Sequence, residues 1–274
     1  MKLGSGRGSA LGERAATVLV KRGFWLLLLG QAVSQLGDSL FFVAVLWFTQ
    51  ETLGSTVSTG LVGAAVTAPA LVGLVTGVLV DRWNRKATMV FSDISRALLV
   101  LIIPLVYAYG AVSLGTIATV VVLLGIAGQF FLPARQAFLP RLVSERALTE
   151  ANAALSLAHQ SSQVAGQALG GVLIPIVGTL ALFYLDALSF VVSALAVMLI
   201  SASGAVTPAS GASPAGRGEG GFLRDFGDGL SFVARQPLVR LMVVTAAVVN
   251  LGFGPLFVLM PAWAHEEMGY GPEG

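Results

Sequence analysis

The sequence predicts an all-α polytopic membrane protein whose N-terminus lies in the cytoplasm. Three observations carry that prediction. Hydrophobic residues make up 55% of the 274-residue chain against 11% charged, and the mean hydropathy of +0.84 is too apolar for an ordinary soluble domain. Seven apolar runs are long enough to cross a hydrocarbon core, which takes roughly 20 helical residues. All 16 Lys and Arg lie on one side of those runs, 14 in the segments between or before them and Arg96 and Arg240 near the start of a run on that side, and the preference of basic loops for the cytoplasm makes that side the inside.

The spans follow from splitting the apolar runs at polar or Gly/Pro punctuation. Residues 1–23 form a polar, basic cytoplasmic tail. The run that follows, 24–49, is much longer than a signal-peptide core of about 7–15 residues and has no small-x-small cleavage site, so it is read as a retained first span. Spans 2 to 6 cover 57–80, 89–109, 113–133, 152–174 and 179–201, which makes 24–201 a six-helix half. Residues 202–237 form a cytoplasmic linker. Its first part, within SASGAVTPASGASPAGRGEGG (201–221), has the composition of a flexible chain, and FLRDFGDGLSFVARQ (222–236) has the spacing of an amphipathic surface helix. Span 7, 238–260, opens the last segment, 238–274.

The densest charge, in GVLVDRWNRKATMV (77–90), joins spans 2 and 3. An ordinary basic loop would explain the bases but not Asp81, nor the glycine four residues before it. Gly77-Val-Leu-Val-Asp81-Arg82-Trp83-Asn84-Arg85-Lys86 resembles the loop signature of the major facilitator superfamily, G-x-L-A-D-R-x-G-R-K, at the same topological place. Asn84 stands where that family usually has Gly; Asn also tolerates left-handed backbone angles, so a tight turn is expected there. PARQAFLPRLVSERALTEANA (133–153) is similar to the corresponding loop of the drug-efflux and siderophore-export branch, which includes macrolide and enterobactin exporters. SDISRALLV in span 3 and LDALSF in span 6 fit that branch too, and the resemblance covers 24–270.

The resemblance implies a secondary transporter of the bacterial plasma (inner) membrane that exports small amphipathic organic molecules, coupled to protons, by alternating access. It implies a gating role for Gly77, Asp81, Arg82, Arg85 and Lys86, with Asp81 latching two halves together on the cytoplasmic side. Two family features are altered. Gly166-Gln167-Ala-Leu-Gly170-Gly171 has Gln167 where antiporters of the family often have Pro, and no base lies between Arg96 and Arg135, where many proton-coupled members carry an arginine in span 4.

Members of this superfamily have twelve spans in two repeated halves. Laid on span 1 at an offset of 215, span 7 gives nine identities over positions 26–54, among them Gly37/Gly252, Glu51/Glu266 and Gly54/Gly269. Span 7 is therefore expected to be the first helix of a second half, most of which is missing, whether as an incomplete record, a truncated gene or one chain of a split transporter. The missing half, in cis or as a separate chain, joins the lipid bilayer, the organic substrate and protons as expected partners.

Ionisable and amide groups inside spans are costly unless they face a cavity or a partner. Gln31, Gln35 and Asp38 share one face of span 1, and Asp38 is the candidate coupling carboxylate, the alternative being a structural acid. Asn152, Ser156, His159, Gln163 and Gln167 form a stripe along span 5 that lines a cavity or packs on another helix. A lone histidine such as His159 is more often a hydrogen-bonding residue than a coupling site. Gly166, Gly170 and Gly171 are read as helix-packing positions, as are Gly125 and Gly128 in span 4. Asp93 and Arg96, three apart, are expected to pair on span 3 and to brace the Asp81 loop. Asp186 is placed near the outer end of span 6, within reach of water.

Other classes fit poorly. A net charge of +2 gives no reason to expect nucleic acid. With no Cys there is no disulfide, thiolate nucleophile or Cys-ligated metal, and neither a metal nor a cofactor is expected. No H-E-x-x-H, aspartate cluster or Ser/His pair points to catalysis, so the chain is not read as an enzyme. A retinal protein needs a lysine in its last span, whereas the lysines are Lys2, Lys21 and Lys86; a G-protein-coupled receptor has its N-terminus outside. The alternative reading is a truncated membrane protein that does not transport, or a seven-helix receptor or scaffold.

Overall fold

The computed structural model describes residues 22–70, 72–73, 76, 80, 83–200, 231, 235–242, 244–245 and 248–249. Gly77, Asp81 and Arg82, the N-terminal tail, most of the linker and the greater part of span 7 lie outside the described residues. Seven helices are named here: α1 (Arg22–Leu53), α2 (Thr56–Thr67), α3 (Arg85–Ala108), α4 (Leu114–Gln129), α5 (Phe131–Phe138), α6 (Leu148–Val177) and α7 (Thr179–Leu199). Their ranges overlap the segments read as spans 1 to 6, with α4 and α5 sharing span 4 and α2 lying in the first part of span 2.

Local chemistry starts and stops these helices. Ser55, Asn84 and Ser113 cap α2, α3 and α4, each side-chain oxygen accepting the backbone N–H three residues on. Asn84 thus has an extended backbone, φ −71°, and acts as a cap, not as the left-handed turn expected of it. The hairpins opposite the basic side turn on Gly54, Gly110 and Gly178, all at positive φ. Gly178 (φ 81°, ψ 161°) occupies a region essentially closed to other residues.

Two expected spans are interrupted. Span 2 breaks after Thr67 at Ala68 and Pro69, because proline supplies no N–H and its ring clashes with the preceding turn. Gly125 of α4 leaves room for the Pro69 ring, which a Cβ at 125 would strike. The helix of span 4 is interrupted at Phe130, and Pro133 sits in the first turn of α5, where its missing N–H has no intrahelical partner to lose.

Among the described residues, four helical stretches are long and apolar enough to cross a membrane: Arg22–Leu53, Arg85–Ala108, Leu114–Arg141 and Thr179–Leu199. The 30-residue α6 has the length, but its amides and His159 make it less apolar. Exposed Phe91, Ile94, Leu98, Leu101 and Leu105 run down one face of α3, as a lipid-facing surface requires.

The core comes in two parts. Leu40, Phe41, Ala44, Phe48, Val100, Val121, Phe183 and Phe190 fill the half of the bundle away from the basic side. Phe24, Leu27, Met89, Phe131, Phe138 and Val143 fill the half towards the basic side. Between them, α1 buries only small or polar side chains: Gly30, Gln31, Ser34, Gly37 and Ser39. Small residues let neighbours approach there: a Cβ on Gly30 would lie 2.9 Å from Ala196 Cβ, and one on Gly170 3.0 Å from Val43 Cβ.

Lys86 ties the start of α3 to the end of α7. Its Nζ donates to the carbonyl oxygens of Met198 and Ile200 at 2.8 Å each, satisfying acceptors that a helix C-terminus leaves open. Lys86→Met is expected to lower stability by about 1 kcal/mol, since a charged donor is lost at a partly wet site. Thermal unfolding in lipid nanodiscs checks this; an unchanged midpoint would mean the clasp contributes nothing.

Candidate functional site: a charged layer across the bundle

The polar break in the core is a layer built from four helices. Arg96 of α3 lies at its centre. Its Nη2 donates to Asp93 Oδ1 in a very close contact and its Nη1 lies 3.5 Å from Asp38 Oδ2 of α1. The guanidinium also stacks over the Phe190 ring, 4.2 Å from its centroid, with Phe131 at 5.4 Å. The expected Asp93–Arg96 pair is therefore present, but its second partner is Asp38; Asp81, which it was expected to brace, is outside the described residues.

The acids differ in access. Asp93 is fully buried, whereas the Asp38 side chain keeps 29% exposure and accepts from Gln35 Nε2 at 3.5 Å. Asp186 differs most from expectation: it is completely buried. Its position near one end of α7 does not wet it, because α1 passes directly over it at Gly37, where a Cβ would lie 2.6 Å from Asp186 Oδ1. Ser189 Oγ donates to the Asp186 backbone oxygen at 2.8 Å and lies 3.4 Å from Oδ1.

Towards the basic side the layer continues through amides. Gln31 is buried, with Nε2 3.5 Å from Ser193 Oγ, and its Oε1 accepts from Arg135 Nη1 at 3.3 Å. Arg135 was counted in sequence only as a loop base. A signal for its inward role is that it follows Ala134 in α5, whose Phe131, Ala134 and Phe138 are buried.

The α6 stripe lies elsewhere. Asn152, Ser156, His159, Gln163 and Gln167 are all exposed, while Ala151, Leu155, Ser162, Gly166, Gly170 and Ile174 face the bundle. Ser162 Oγ donates to Ala32 O at 2.9 Å, and a Cβ on Gly166 would lie 2.5 Å from Ser39 Cβ. Gly166 and Gly170 are thus packing positions, and Gly171 is half-buried. His159 is within electrostatic reach of Asp38, so the exposed edge of the charged layer and the exposed stripe adjoin. A separate cavity of about 360 Å³ opens between α3 and α4, bordered by Trp83, Phe91, Ser92 and Phe130 but by none of the described acids.

The family model described as Major Facilitator Superfamily matches residues 27–274. The chain belongs to the major facilitator superfamily. It is similar to the uncharacterized MFS-type transporter YfiS of Bacillus subtilis (strain 168), with 32% identity over 87% of this chain and 54% of that protein. It is also similar to the multidrug efflux pump Tap of Mycolicibacterium fortuitum (28%; 89% of this chain, 60% of that protein) and of Mycobacterium tuberculosis strain H37Rv (27%; 87% and 58%). No solved structure matches. The chain spans a little over half the length of these curated relatives. As a major facilitator chain it is a multi-pass membrane protein in contact with lipid, and the relatives it matches are transporters, a non-enzymatic class of protein.

Proposed function

We propose that this chain is the first half of a proton-coupled exporter of small amphipathic organic molecules in a bacterial plasma membrane. It works by alternating access against a second half supplied in cis or as a separate chain. The observation that carries this reading is the place of Asp38, joined to buried Arg96 on one side and adjoining the open polar stripe of α6 on the other. A carboxyl there can take a proton from an aqueous cavity and, on doing so, weaken its hold on Arg96, which links protonation to the packing of α1 against α3. Gln163, Gln167, Ser156 and Asn152 supply polar contacts along the cavity wall while apolar surface takes the body of the substrate. The multidrug efflux pump Tap among the relatives supports an organic substrate. The cytoplasmic loop residues Gly77, Asp81, Arg82, Arg85 and Lys86 form the gate in this reading.

The test uses everted vesicles containing the assembled transporter and a fluorescent amphipathic cation. Asp38→Asn is expected to bring proton-driven uptake down to the background of vesicles lacking the protein, at unchanged abundance in the membrane. Uptake by this variant that still collapses when the pH gradient is dissipated would overturn the assignment of Asp38.

A further inference from the structure

Asp186 has no role in the coupling step just described, yet among the described residues it is a buried acid with no ion-pair partner. Its side chain is fully buried, and its Oδ2 has no hydrogen-bond partner. Its one neighbouring donor, Ser189 Oγ, is closer to the Asp186 backbone oxygen than to the carboxyl, and a single hydroxyl proton cannot serve both well. Every other carboxyl of the layer has a guanidinium: Asp93 and Asp38 share Arg96.

Asp186 feels Arg96 at a distance but also the like charge of Asp38, and no cation pairs with it directly among the described residues. Of the elements packed against α7, α1 presents Asp38 and α3 presents Asp93 and Arg96, while α6 carries His159 on its exposed side. Arg135, the remaining cation of the layer, is directed at Gln31. Among the described residues, three carboxylates thus face two guanidiniums in the layer, and one bound proton makes this set neutral. An ionised carboxylate buried without a partner is far costlier than a protonated one, so the proton belongs on the carboxyl that lacks a cation.

We propose that Asp186 is a proton-binding site distinct from Asp38: an inner carboxyl that holds a proton in the resting bundle. Because Asp38 shares Arg96 with Asp93, movement of Arg96 towards Asp186 when Asp38 is protonated would release the inner proton. That exchange rests on the exporter reading above; occupancy of Asp186 by a proton does not.

The site is tested by infrared spectroscopy of the full chain in lipid nanodiscs at neutral pH, reading the C=O stretch of protonated carboxyls. The band is expected in the wild type, absent in Asp186→Asn and retained in Asp38→Asn. A wild type without the band, an Asp186→Asn variant that keeps it whole, or its loss in Asp38→Asn would overturn the proposal. Should Asp186→Asn fail to fold, judged by circular dichroism, Asp186→Glu serves instead: the band then moves in frequency if it belongs to position 186 and stays put if the proposal is wrong. A band that behaves as expected while transport ignores the pH gradient would leave the site standing and sink the exporter reading.

Discussion

Arg96→Ala is expected to destabilise the bundle by about 3–5 kcal/mol, because it removes the cation that compensates two acids at once. Asp93 would stay fully buried with neither of its oxygens partnered by a charge, its Oδ2 being already without a hydrogen bond. Asp38 would lose less, since its side chain is 29% exposed and can turn to water. The stacked Phe190 ring would lose a cation worth up to about 2 kcal/mol in a dry setting. The double variant Arg96→Met with Asp93→Leu separates the value of the pair from the penalty of breaking it. A buried ion pair exchanged for apolar groups of similar volume is often close to neutral in stability, so the double variant should recover most of the loss while transport in the assembled protein stays abolished. Unfolding curves of both in nanodiscs decide the matter. Equal losses would mean that Arg96 acts through its packing and not its charge.

The sequence made some parts of this site legible and hid others for physical reasons. Asp93 and Arg96 are readable because a spacing of three on one helix leaves few alternatives to pairing. Gly166 and Gly170 are readable because glycines four apart in an apolar helix have packing as their main use. The link from Arg96 to Asp38 crosses between helices 58 residues apart, and no period within either helix encodes it. Asp186 was misplaced because distance from the end of a span measures depth, whereas dryness depends on what crosses the residue. Here that is Gly37, whose missing side chain brings α1 down onto the carboxyl. The break at Pro69 was hidden by an apolar run that continues unchanged on both sides of it. The three hairpin glycines and the two serine caps at 55 and 113 followed ordinary turn chemistry, so the helix ends fell close to where punctuation put them.

Gly37→Val is expected to cost about 2–3 kcal/mol, the upper part of the range for overfilling a packed site, and to disturb the charged layer with it. A Cβ at this position would lie 2.6 Å from Asp186 Oδ1 and 2.8 Å from Ser189 Cβ, and nearer still to Ser189 Oγ. Neither neighbour yields easily. Ser189 Oγ is held by the Asp186 backbone oxygen at 2.8 Å, and the Asp186 side chain is short and enclosed on every side. The strain is therefore relieved by moving α7 away from α1, which also draws Phe183 from its ring contacts with Phe41 and Phe48 at 5.6 Å. Two comparisons make the expectation specific. Gly128→Ala should stay within about 0.5 kcal/mol, because the nearest atom a Cβ there would meet is Arg96 Cδ at an ordinary 3.7 Å. Adding Ser189→Ala to Gly37→Val should restore part of the loss by removing the closest obstruction, though Ser189 Cβ and Asp186 remain in the way. Thermal midpoints of the three variants provide the measurement. If Gly37→Val melted with the wild type, α1 and α7 could not approach as closely as this packing requires, and the burial of Asp186 would lose its cause.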